Sequence, residues 1–183
     1  MDDLIGRIKA RVADPIAFLD SASWIKPIPR LAPPVKAAEV DAAEEAMGFA
    51  FPLLLRRLYT EVGNGRWGPG YGFYQLPGVG AEPNEDDLVG FYLECVSHAR
   101  LFESPGVEWP AGLVPIIGRG CVDYELCDFL SPFSPVWLLS GDAWDMDRPL
   151  NSSLKTVASS LVVRLEAWLD GMDSFYGHTD RGG

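Results

Sequence analysis

The sequence predicts an α+β fold in a single domain, and three observations carry that reading. Apolar residues spaced as on helix faces fill the beginning of the chain, β-type runs punctuated by glycine and proline occupy its centre, and a helical stripe closes it. The 183 residues suit one domain able to bury about 70% of its unfolded surface. With 48% hydrophobic and 22% charged residues, the composition is that of a folding chain rather than a disordered one.

The elements follow in order. Leu4, Ile5, Ile8 and Val12 share one face of a first helix, with Arg7 and Arg11 turned away, and Pro15 ends or kinks it. Residues 23–34 hold Pro27, Pro29, Pro33 and Pro34 and read as an extended arm packed on the body through Trp24, Ile25, Ile28 and Leu31. A second helix runs through VKAAEVDAAEEAM to Gly48 as its C′ residue. Pro52 opens a third, LLLRRLYTEV, whose buried stripe is Leu54, Leu55, Leu58, Tyr59 and Val62, and Gly63 stops it. Asn64 and Gly65 then reverse the chain.

A strand is expected over Gly72 to Leu76, a loop through PGVGAEPNEDD, and a helix over Leu88 to Arg100, where Leu88, Phe91, Tyr92 and Val96 keep helical spacing. LVPII at 113–117 and CVDYELCDF at 121–129 read as strands around a turn at Gly118 and Gly120, and Pro135 to Leu139 as a third. Ser153 is expected to cap a long last helix carrying Leu154, Val157, Leu161, Leu165 and Trp168 on one face, ended by Gly171. The organisation is thus a helix and arm over 1–33, a domain over 34–171, and a fraying tail over 172–183.

Charge and cysteine usage exclude several function classes. A formal charge of −11, from 26 acidic against 15 basic residues, repels nucleic acid and anionic membranes, whereas it steers a basic protein partner inward. No apolar run approaches the ~20 residues that span a bilayer, and no export signal opens the chain. Cys95, Cys121 and Cys127 form neither a disulfide framework nor a metal spacing, so a reducing cytoplasm fits best.

Several residues along the chain could bear chemistry. Gly63, Gly65 and Gly68 satisfy G-x-G-x-x-G, but a helix precedes them and a strand follows, the reverse of what a phosphate cradle needs. Cys95 and His98 stand at i, i+3 and are a candidate thiolate pair, yet no third orienting group accompanies them; His178 lies in the tail. Asp123 and Glu125 share one strand face with Cys121 and Cys127, a pattern that fits acid–base work or a hard cation, and more commonly the solvated side of a half-buried sheet. EPNEDD at 82–87 gathers Glu82, Glu85, Asp86 and Asp87 and reads first as a soluble loop. No catalytic residue, metal site or cofactor is assigned.

Glu44, Met47, Gly48, Phe51 and Pro52, followed by RRLYTEVGNGRWGPGYGFYQL, resemble the signature of the SUKH superfamily, the Smi/Knr-type domain, with its E-x-x-L-G-x-x-L-P helix junction and asparagine-glycine turn. WPAGLVPI at 109–116, Gly120, Cys121 and Asp128 resemble its central strands, and LEAWLDG at 165–171 its closing helix. The resemblance implies N-terminal helices and a C-terminal helix packed on a mostly antiparallel sheet, no catalytic centre, and Glu44, Gly48, Pro52, Asn64 and Gly65 as structural positions. Arg66 stands where members often carry a second glycine, and Asp123 and Glu125 where small residues are common. Bacterial relatives are immunity proteins that neutralise a cognate toxin; fungal relatives are regulatory scaffolds.

The resulting expectation is a non-catalytic, cytoplasmic protein-binding domain, an immunity protein facing a basic toxin domain, with no nucleic-acid or membrane partner. Aromatic anchors are sought at Trp67, Tyr71 and Trp144, with Arg66 beside them, and steering acids at Asp86, Asp87, Asp123 and Glu125. The alternatives are a regulatory scaffold for a non-toxin partner and, more remotely, a hydrolase or metal protein. The sequence carries no sign of oligomeric state.

Overall fold

The computed structural model describes residues 1–14, 31–78, 80–101, 108–120, 122–141 and 150–172. The helices are α1 (Asp2–Ala13), α2 (Ala37–Met47), α3 (Leu53–Glu61) and α4 (Leu88–Leu101). Strands β1 (Leu113–Gly120), β2 (Asp123–Asp128), β3 (Val136–Ser140) and β4 (Leu154–Ala158) follow, then α5 (Leu161–Leu169). The strands pair in the order β1-β2-β3-β4, all antiparallel, so the described core is an α+β domain.

The first three helices match their sequence patterns. Leu4, Ile5 and Ile8 of α1 are buried, as are Leu54, Leu55, Leu58 and Tyr59 of α3 and, just beyond it, Val62. Arg7 and Arg11 are not simply turned away. Arg7 pairs with Asp170 at 3.1 Å, and Arg11 donates to the Leu169 carbonyl while its guanidinium lies 4.7 Å from the Trp168 ring centre. Their aliphatic stems let α1 close over the end of α5 while the charges keep polar partners. Of the arm, only Leu31 to Pro34 fall among the described residues; Pro27, Pro29, Trp24, Ile25 and Ile28 lie outside them.

The junction between α2 and α3 shows what its glutamate does. Gly48 ends α2 at φ 85°. The Glu44 carboxylate then accepts from the Phe51 N–H at 2.9 Å and from Arg56 Nη1 at 2.9 Å, tying the start of α3 back to α2. Pro52 sits at the N-cap of α3, one position ahead of the first turn assigned to it from sequence, where its missing N–H costs nothing. Glu44→Ala is expected to lower stability by about 1–3 kcal/mol, because the Phe51 N–H loses its acceptor. Asp41→Ala, which removes only an exposed partner of Arg56, should stay within about 1 kcal/mol in the same urea titration.

Three expectations from sequence are corrected. The long helix capped by Ser153 is two elements: Leu154–Ala158 pairs with β3 as β4, and α5 begins at Leu161, where the Ser160 hydroxyl accepts from the Val163 N–H at 3.2 Å. The open edge of β3 claimed a segment containing Thr156 and Val157, both β-branched, over its weak helical spacing. The turn placed at Gly118 and Gly120 is also absent, since β1 runs through to Gly120 with irregular register at both glycines. Gly72 to Leu76 forms no named strand. It makes only the isolated bridges Phe73 with Ile117 and Gln75 with Asp87, because Gly72 at φ 89° breaks the extended backbone where the strand was expected to begin.

Candidate functional site

The glycine-rich stretch after α3 folds back on itself. The Arg66 N–H donates to the Phe73 carbonyl at 2.7 Å, and the Phe73 N–H donates to the Trp67 carbonyl at 2.9 Å. Asn64 holds the returning chain from both sides: its Oδ1 accepts from the Leu76 N–H at 2.7 Å and its Nδ2 donates to the Leu76 carbonyl at 3.2 Å. Gly65 has φ 66°, and a Cβ there would lie 2.6 Å from the Tyr74 carbonyl oxygen, so this turn admits only glycine. The loop's N–H groups at Gly65, Arg66, Tyr71 and Gly72 all donate to backbone carbonyls. Those donors are therefore already used, and the stretch is a structural loop rather than a phosphate cradle.

Segment 71–75 then lies along the free edge of β1, with the Tyr71 N–H on the Gly118 carbonyl at 2.8 Å and the Tyr74 N–H on the Ile116 carbonyl at 3.0 Å. Between this segment, β1 and β2 opens a cleft of about 470 Å³. Arg66, Tyr71, Tyr74, Gln75, Asp86 and Tyr124 reach it over a floor that includes Gly118 and Gly120. Arg66, Tyr71 and Asp86, singled out from sequence at separated positions, are brought together here. Arg66 holds φ 59°, a left-handed conformation uncommon for a side-chain-bearing residue.

Other candidates go elsewhere. Trp67 is only 1% exposed; its indole N–H donates to the Gly63 carbonyl at 3.1 Å and its ring packs on Phe73 and Trp168, so it holds the loop down and offers a partner nothing. Asp87 is buried as the cap of α4, accepting from the Gly90 N–H through one oxygen and from the Asn84 N–H through the other, each at 2.8 Å. Asp86 is exposed, as are Glu82 and Glu85. Trp144, Cys121 and His178 lie outside the described residues, as does the side chain of His98.

The strand face bearing Asp123 and Glu125 is not a solvated one, and this corrects the expectation for Glu125. Its side chain is 0% exposed and grips Arg164 of α5 in a two-pronged pair at 2.7 and 2.8 Å, with Arg119 Nε 3.3 Å away. A residue so enclosed neither steers a partner nor binds a free cation. The signal lay in α5, where Arg164 interrupts the buried stripe Leu161, Leu165 and Trp168: an arginine on an apolar face requires a carboxylate opposite. Tyr74 and Tyr124 also line the cleft, and no pattern in the sequence marks them as its members.

Cys95 is a half-buried free cysteine. Burial, assisted by the charge of Glu94, pushes its thiol up to about 12, the opposite of the depression that makes a reactive thiolate. Alkylation by iodoacetamide at pH 7.5 should therefore be slower at Cys95 than at an exposed thiol by about a hundredfold or more, a difference peptide mass spectrometry resolves. Among the described residues no helix is long and apolar enough to cross a membrane.

No curated protein matches the chain. A family model, that of the SMI1 / KNR4 family (SUKH-1), matches residues 34–165, from the arm ahead of α2 to the middle of α5. The match takes in the Glu44 junction, the Asn64–Gly65 turn and all four strands, and the chain belongs to the SMI1 / KNR4 family (SUKH-1).

Proposed function

We propose that this chain is a non-catalytic protein-binding domain of the cytoplasm, an immunity protein that binds and neutralises a basic toxin domain. The observation that carries the reading is the cleft, where Arg66, Tyr71 and Asp86 converge on one face beside Tyr74 and Tyr124. Tyrosine is among the side chains that most often anchor protein interfaces, because it combines large apolar area with a polar end. Family membership and a net charge of −11 support a basic protein as the occupant, and the protonated Cys95 thiol weighs against the hydrolase alternative.

The test is co-purification with the product of a toxin gene adjacent to this one, followed by calorimetric titration at 50 and 300 mM NaCl. A basic partner bound at least about tenfold more weakly at the higher salt is expected, as screening of a charge-steered interface requires. An acidic partner, or affinity indifferent to salt, would overturn the electrostatic reading, and a tight non-toxin partner would make the domain a regulatory scaffold instead.

A further inference from the structure

The walls of the cleft specify more than a generic protein surface. A Cβ at Gly118 would lie 3.5 Å from the Tyr74 hydroxyl and 3.8 Å from the Tyr71 Cβ, so both residues flank this glycine. Tyr124 stands directly across from Gly118 in the β1–β2 register. Three tyrosines thus flank one glycine, and the Tyr71 ring runs on along β1 to Gly120, where a Cβ would lie 2.5 Å from its Cε2, so only glycine at 120 leaves room for that ring. Phe91 of α4 backs two of them, with ring centres 5.3 Å from Tyr74 and 5.0 Å from Tyr124, which fixes the cage from behind.

Asp86 and Arg66 are the charged residues of the cage's lining, and Asp123 and Glu94 stand near it. Burial first, and then neighbouring groups that include Asp86 for Tyr74 and Asp123 and Glu94 for Tyr124, hold both phenols above their ordinary range, so the rings stay neutral. Asp86 is exposed on the cleft wall, and Arg66 is the cation of the described lining. Neutral electron-rich faces under a carboxylate are the setting in which a cation is drawn onto aromatic rings. Among cations a guanidinium fits best: it is planar, is weakly hydrated, stacks on rings, and presents a fork of N–H donors to acceptors such as Asp86, the Gln75 amide oxygen and the phenol oxygens.

We propose that the cleft is an aromatic cage for an arginine side chain of the protein partner, held between Tyr71, Tyr74 and Tyr124 above Gly118 with Asp86 as its counter-charge. The proposal rests on the protein-binding reading and names the chemistry of the residue that enters. Arg66 is then a competing charge rather than an anchor.

The test titrates the full chain with amide-capped N-acetyl-arginine, N-acetyl-lysine and N-acetyl-glutamate, following the tyrosine ring resonances by NMR. The arginine compound should saturate in the millimolar range with shifts confined to Tyr71, Tyr74 and Tyr124, the lysine compound should bind several-fold more weakly, and the glutamate compound should leave the rings unmoved. Asp86→Asn, a surface change, should weaken the arginine compound by about tenfold at unchanged melting temperature, Tyr71→Ala should weaken it by about tenfold in protein still folded by its far-UV spectrum, and Arg66→Ala should hold or tighten it. No saturation up to about 100 mM, a preference for glutamate, or loss of binding in Arg66→Ala would overturn the assignment. If the arginine compound binds as expected but no protein complex forms, the protein-binding reading fails and the cage's chemistry stands. If a partner binds Tyr71→Ala and Asp86→Asn as tightly as the parent chain, the cage fails and the protein-binding reading stands.

Discussion

Glu125→Leu is expected to destabilise the domain by about 3–5 kcal/mol, because it strips the buried Arg164 guanidinium of its two hydrogen bonds to the Glu125 carboxylate. For a domain of this size that corresponds to a fall of roughly 6–20 °C in melting temperature by calorimetry. The second half of the test separates charge from shape. Arg164→Met alone should also be costly, since it leaves the fully enclosed carboxylate facing a methionine. Combined with Glu125→Leu it should recover most of the loss, because an apolar pair of similar volume replaces a desolvated ion pair at little net cost. Arg119, whose side chain is 12% exposed, keeps a route to water in the double variant. If the double variant were as unstable as the sum of the singles, the pair would not be acting as a coupled unit.

Trp67→Ala should cost about 3–5 kcal/mol, the range for deleting a large buried aromatic. The indole is 1% exposed, lies 5.1 Å from the Phe73 ring and 6.4 Å from the Trp168 ring, and so joins the glycine-rich loop to α5. Trp67→Phe retains much of the volume but leaves the Gly63 carbonyl without the indole N–H, so a smaller loss of about 1–3 kcal/mol is expected. The loop also supplies Arg66 and Tyr71 to the cleft. Arginine-compound binding should therefore fall in Trp67→Ala even at temperatures where the domain remains folded, as loss of loop placement alone predicts. Unchanged binding in a folded Trp67→Ala protein would show that the cleft is positioned from β1 and α4 without the loop.

The first four helices are legible because each repeats a pattern that one element satisfies by itself. Leu54, Leu55 and Leu58 mark the buried side of α3, Gly48 can end α2 at positive φ, and Gly65 sits where a Cβ would strike the Tyr74 carbonyl. The strands were legible less completely. Leu154–Ala158 has weak helical spacing and is a strand only because β3 presents an unpaired edge to it, a fact that belongs to the partner strand rather than to the segment.

The candidate site divides the same way. Arg66, Tyr71 and Asp86 stand out from sequence as side chains on exposed turns, and the structure leaves all three at the surface. Glu125 looked like their companion, since alternation alone puts it on the acidic side of β2. Which side meets water is not a property of β2, however; α5 covers that side and brings Arg164 to it. Local periodicity, turn chemistry and the Glu44 junction are short-range matters of backbone geometry, so the order of residues settles the first four helices, the Asn64–Gly65 turn and the family. Burial, the Glu125–Arg164 pair, the fourth strand and the meeting of Tyr71, Tyr74 and Tyr124 around Gly118 join residues far apart in the chain, and only the packed structure decides them, because desolvation depends on what covers a side chain rather than on what precedes it.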